Sequence, residues 1–161
     1  MTDYLYVIYT ILTKHPAKME DYQAAFLQRH KDTEILDYST RKIAAMHFGG
    51  VTIECLLKSM IFASLPKSAS REWKTDCNNP GHTITNPGHS LHDALKRHNR
   101  LHSRVQKFPQ VMKWLATVET PNQHFIDMRY YGNEPNDQDY KQWLDAYNRL
   151  IDWLQKQATQ L

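Results

Sequence analysis

At 161 residues the chain is long enough for one domain, 1–161, with a sizeable core. Five Gly are few for a turn-rich all-β protein, and two Cys exclude a disulfide-stapled scaffold. A formal net charge of +3 is too small to imply a nucleic-acid partner by itself.

Residues 1–16 read as an N-terminal helical extension. Tyr4, Val7, Ile8, Ile11 and Leu12 keep helical spacing behind Thr2 or Asp3 as a cap, and Pro16 ends the run. The same β-branched and aromatic residues also suit a strand. The run lacks a basic leader and a small-residue cleavage site, so it is not expected to be a signal peptide.

Lys18 to about Leu36 predicts the next helix, with Tyr22, Ala25, Phe26, Arg29 and Thr33 on one side and Met19 joining them. Tyr38-Ser39-Thr40 is either its cap or a passage straight into the following helix.

That following helix, Arg41–Leu65, is apolar almost all round, as the centre of a bundle should be. Glu54 and Lys58 interrupt it, so it is not expected to span a membrane, where about 20 apolar residues are needed. His47, Glu54 and Lys58 stand near whole numbers of turns apart and form one stripe. The plain reading is a buried polar network with Glu54 and Lys58 paired at i,i+4. The alternative makes the stripe the floor of a nucleotide or phosphate pocket, completed by His89 and Arg129.

A long loop, 66–89, follows and carries a short duplication, Asn79-Pro80-Gly81-His82 and Asn86-Pro87-Gly88-His89. Pro then Gly at the centre of each copy predicts two type II turns. Cys77, His82, His89 and His92 could be metal ligands, but their spacing matches no zinc pattern, and no metal or cofactor is expected. Cys55 and Cys77 are expected to be free thiols in a reducing, cytoplasmic setting.

Ser90 is the expected cap of a third main helix, with Asp93 as its capping-box acid. Leu91, Ala94, Leu95, Leu101 and Val105 fall in one arc, and Lys96, Arg97, Arg100, Arg104 and Lys107 in an opposite arc of about 100°. No Asp or Glu occurs from Ala94 to Val118, whereas seven acids face four Lys or Arg from Glu119 onward. The basic face is either solvated, balanced by the acidic end of the chain across a dimer, or a contact for RNA or nucleotide phosphates.

Pro109 suits the first turn of a short helix, Gln110 to Val118. A connection through Asp127-Met128-Arg129-Tyr130 leads to the last helix, which begins near Pro135 and Asp137. Tyr140, Trp143, Leu144, Tyr147, Leu150, Ile151, Leu154 and Ala158 give that helix the clearest periodicity in the chain, and the central helix is its expected partner.

The run Ala45-Met46-His47-Phe48-Gly49-Gly50-Val51-Thr52-Ile53-Glu54-Cys55-Leu56-Leu57-Lys58 resembles the HEPN family (higher eukaryotes and prokaryotes nucleotide-binding domain). Gly88-His89-Ser90-Leu91 with Leu95 resembles its Gly-His-x-Leu helix start, and Asp127-Met128-Arg129-Tyr130 its Arg-Tyr element. The likeness covers about residues 20–155. It implies an all-α, up-and-down bundle of four to five main helices with one long loop, often a homodimer. It also implies one of two activities. The first is non-catalytic binding of a nucleotide, RNA or a nucleotidyltransferase-type partner, with His47, Glu54, Lys58, His89, Arg129 and Tyr130 as the ligand-binding set.

The second is a metal-independent endoribonuclease, as in the toxin half of a toxin–antitoxin pair. Its catalytic Arg and His are separated by four to six residues. Arg97 and His102 match by spacing, as do Arg41 and His47, but neither pair lies near the last helix, where the family places the motif. In a regular helix Arg97 and His102 would point about 140° apart. An interaction domain without a ligand is the third reading.

Overall fold

A computed structural model describes residues 21–69, 73 and 85–160. The expected N-terminal helix, Met19, the first Asn-Pro-Gly-His copy and Cys77 lie outside the described residues. Within them the chain is all-α: six α-helices and one 3-10 turn, with no strand.

Helix α1, Tyr22–Tyr38, begins at Asp21, whose side chain accepts the Ala24 N–H at 2.9 Å. It ends in a tight reversal. The Arg41 N–H reaches the Leu36 carbonyl and the Thr40 N–H the Asp37 carbonyl, with Thr40 at φ 57°. This is a Schellman cap with threonine in the left-handed position where glycine is usual. The passage between the two helices is therefore a break, and it folds α1 back along α2, Lys42–Ser64.

Arg41 offers α2 no side-chain cap. Glu134, from the connection before the last helix, accepts the Ile43 N–H instead, while Lys42 pairs with Asp137 at 2.6 Å. α2 is long and apolar enough to cross a membrane by length and composition alone, yet 83% of its most apolar stretch is buried inside the bundle. Neighbours lie on several sides, as an all-round apolar helix requires. α1, α3 (Leu91–Arg97), α5 (Pro109–Glu119), the 3-10 turn Asp127–Tyr130 and α6 (Asp137–Ala158) all touch it.

Two glycines set how closely α2 is approached. A Cβ on Gly49 would stand 2.6 Å from the Trp143 ring, and one on Gly50 2.1 Å from that of Phe125. The last helix departs from expectation here. α6 packs chiefly on α5 and meets α2 through Trp143 and Tyr147 at Gly49. Its buried stripe also faces α5, because the connection 120–136 folds it back as the second half of a hairpin.

The expected single basic helix over 90–107 is two short ones. α3 stops at Arg97 and α4 runs Asn99–Val105, with His98 as the joint. The buried His98 ring caps α4 by accepting the Leu101 N–H at Nδ1, 3.2 Å away. The break ends the helical register on which a continuous basic arc depended. Ser90 does cap α3 through the Asp93 N–H, but the Asp93 carboxylate turns to Lys96 instead of completing a capping box. The second Asn-Pro-Gly-His copy also turns one residue later than expected. The Ser90 N–H bonds the Pro87 carbonyl, with Gly88 at φ 63° and its N–H on the Asn86 side chain.

Candidate functional site

Glu54 and Lys58 are one helical turn apart on α2, and both are buried. The Lys58 ammonium donates to Glu54 Oε1 at 2.7 Å. It also lies 5.3 Å from the Tyr22 ring centre and 5.9 Å from that of Trp73. Carboxylate and ring faces together offset the desolvation of this cation. Lys58 is thereby held inside the fold.

The second Glu54 oxygen takes the His89 Nδ1 at 2.9 Å. A carboxylate only accepts, so His89 carries a proton on Nδ1. Its side chain is 57% exposed, which leaves Nε2 as the nitrogen for solvent or a ligand.

A parallel arrangement stands at the start of α3. Glu119 ends α5 and is buried. Its Oε1 accepts the Leu91 N–H at 2.7 Å, and its Oε2 takes the His92 Nδ1. His124 Nε2 lies 3.9 Å from the same carboxylate. The Glu119 carbonyl accepts the Phe125 N–H, and the Phe125 carbonyl takes the His47 Nδ1 at 2.9 Å. Three imidazoles are thus held through Nδ1, those of His89, His92 and His47, in one seam where α3 and the Phe125 segment meet α2. An imidazole fixed this way can pass a proton at Nε2, or donate there to an anionic oxygen when protonated.

Of the residues expected at a ligand site, Lys58 and His89 each meet Glu54, one on each carboxylate oxygen. His47 belongs to the seam through Phe125. Arg129 and Tyr130 are exposed on the 3-10 turn, where the guanidinium lies 4.8 Å from the Tyr130 ring centre. They stack on each other and make no hydrogen bond or ion pair with Glu54 or Lys58.

Arg97 and His102 stand on either side of the His98 joint, and Arg97 Nε donates to the Thr85 carbonyl at 3.0 Å. Lys96 pairs with Asp93 across an exposed 3.4 Å contact. Arg104 donates to Gln157 of α6 at 2.8 Å. Arg100 lies on α4, and Lys107 is exposed beyond its end. His82, like Cys77, lies outside the described residues. His89 and His92 are each held by a carboxylate, and among the described residues no three ligating side chains gather about a point that would hold a metal.

Glu119 and His124 are not among the site residues expected from the sequence. One signal for Glu119 was present: an acid in the last turn of a helix opposes the helix dipole, so it needs another reason to be there. That reason is the start of α3, whose first N–H groups it satisfies.

The chain matches no protein-family model, no curated protein and no solved structure.

Proposed function

We propose that this protein is a HEPN-type helical module that binds the phosphates of a nucleotide or RNA without catalysing a reaction. One observation carries the reading. His89 is fixed on the buried Glu54 with its outer edge exposed, beside His92 on Glu119, at the head of a segment bearing Lys96, Arg97 and Arg100. His89 stands in the turn before the Ser90 cap, and His92 and Lys96 follow on α3. Protonated on both ring nitrogens, His89 and His92 would donate at Nε2 to phosphate oxygens, while Lys58 stays committed to Glu54. The family likeness supports the same reading and adds a homodimer and a nucleotidyltransferase-type or antitoxin partner.

The test is the salt dependence of binding to a fluorescein-labelled RNA 20-mer. Contacts with several phosphates make affinity fall steeply between 50 and 200 mM salt. His89→Ala and Arg97→Ala should each weaken binding in a protein that melts normally. Affinity that ignores salt and both substitutions would remove the reading.

The paired histidine–carboxylate units favour a second reading, a metal-independent endoribonuclease. One imidazole would take the ribose 2′-OH proton and the other protonate the leaving oxygen. RNA cleavage in excess chelator, abolished by His89→Ala with His92→Ala, would establish it. Loss with Arg97→Ala or His102→Ala alone would favour the Arg–His spacing instead.

A further inference from the structure

α4 ends against the second half of α6 at a corner where aromatic rings and cations alternate. Arg104, in the last turn of α4, donates to Gln157 of α6 at 2.8 Å. One turn back along α6, the partly buried Trp153 ring meets Phe108 edge to face, with ring centres 6.2 Å apart. A further turn back, the Arg149 guanidinium lies 6.0 Å from the ring centre of Trp114 on α5. Residues 106–110 are all exposed, and the Phe108 ring among them is 52% exposed. Lys107 beside it is in no ion pair among the described residues. The acids of this half of α6 lie elsewhere: Asp145 is held by Arg149, and Asp152 lines a groove on the α1 side.

We propose that Phe108 and Trp153 stack an unpaired base of a single-stranded RNA, with Lys107 and Arg104 on its phosphates. Every base has a π-face, so an open ring among cations can hold one whatever the sequence, while the cations take the backbone. A protein partner needs about 800 Å² on each side with an apolar centre. One exposed ring set among Gln106, Lys107 and Gln110 supplies a stack but no such centre. In a duplex both faces of each base are already covered by its neighbours, so the contact selects unpaired strand. It presumes the RNA binding proposed above and adds the strand type and a second point of contact, at the other end of the basic segment from His89.

The probe is a fluorescein-labelled RNA 20-mer without self-complementarity, used as a single strand, as a duplex and as an abasic strand of the same length, followed by fluorescence anisotropy on the full chain. We expect Phe108→Ala and Phe108→Leu each to weaken single-strand binding at least fivefold, and Phe108→Tyr, which keeps the ring, to change it less than twofold. Duplex affinity should not respond to any of the three. Lys107→Ala should lower the slope of log affinity against log salt by about one. Phe108 makes no side-chain cap bond to α5, so its ring can be removed without uncapping that helix. Circular dichroism melts confirm that the variants fold.

A twofold or smaller effect of Phe108→Ala, an abasic strand bound as tightly as the base-bearing one, or an unchanged salt slope in Lys107→Ala overturns the proposal. So does wild-type affinity in Phe108→Leu, which would make the contact apolar instead of stacked. His89→Ala separates the stack from the histidine seam. Salt-dependent binding weakened by His89→Ala but not by Phe108→Ala leaves the seam as the site and removes the stack. Binding weakened by Phe108→Ala but not by His89→Ala keeps the stack and removes the seam.

Discussion

Gly50 lies so close to Phe125 that a Cβ on it would stand 2.1 Å from the ring's Cγ and 2.5 Å from its Cβ. Phe125 is fully buried, its amide is held by the Glu119 carbonyl, and its own carbonyl meets His47. The ring therefore has little room to withdraw. Alanine in a helix interior is about 1 kcal/mol better than glycine. The overpacking here should exceed that gain, at roughly 1–3 kcal/mol or more. We predict that Gly50→Ala is destabilising by about 1–2 kcal/mol in urea unfolding. A stability equal to wild type or higher would show that the Phe125 segment can shift.

The buried Lys58 contributes mainly by neutralising Glu54. Lys58→Met leaves a buried carboxylate with His89 as its remaining partner and should cost about 3 kcal/mol. Replacing both, Glu54→Leu with Lys58→Met, removes the unpaired charge along with the pair. The double variant should unfold at a higher urea concentration than Lys58→Met. Additive losses would mean that packing against Tyr22 and Trp73, not charge, is what Lys58 supplies.

Burial holds His98 below the ordinary histidine value, with Arg100 and Arg104 adding to that; burial also lowers His30. The unfolded chain then takes up protons first as pH falls. Stability from these two groups is complete above about pH 6.5 and is lost as pH drops toward their folded values. The urea midpoint should be lower at pH 5.5 than at pH 7.5. His98→Asn, which keeps a side-chain cap for α4, should reduce that difference. An unchanged pH profile in the variant would remove His98 as its source.

Thr40 sits at φ 57°, where a β-branched side chain is strained, in the cap that separates α1 from α2. Thr40→Gly relieves that strain and should stabilise the protein by about 1 kcal/mol. A destabilised variant in thermal melts would mean that the threonine side chain makes compensating contacts.

Much of this architecture was legible in local pattern. An i,i+4 spacing placed Glu54 beside Lys58 because one helical turn brings those positions together in any α-helix. Ser90 as a cap, Pro109 in a first turn and the buried stripe of the last helix are local consequences of the same kind. An apolar surface all round Arg41–Leu65 required neighbours on several sides, and α2 has them.

Other features depended on which segments meet. His89 reaches Glu54 across 35 positions, and His92 reaches Glu119 across 27. Periodicity is silent about such pairs, since they follow from the paths of the connecting segments. Arg129 and Tyr130 illustrate this from the other side: the likeness to an Arg-Tyr element suggested a place at a pocket, and the 3-10 turn sets them at the surface. The joint at His98 was hidden for a related reason. The sequence there has no Pro or Gly, and what stops α3 is a buried ring capping the next helix. From the sequence alone came the helices and their apolar faces, because these are set within a few residues. Tertiary packing decided which imidazoles face which carboxylates, because those pairs join residues 35 and 27 positions apart whose meeting no local pattern sets.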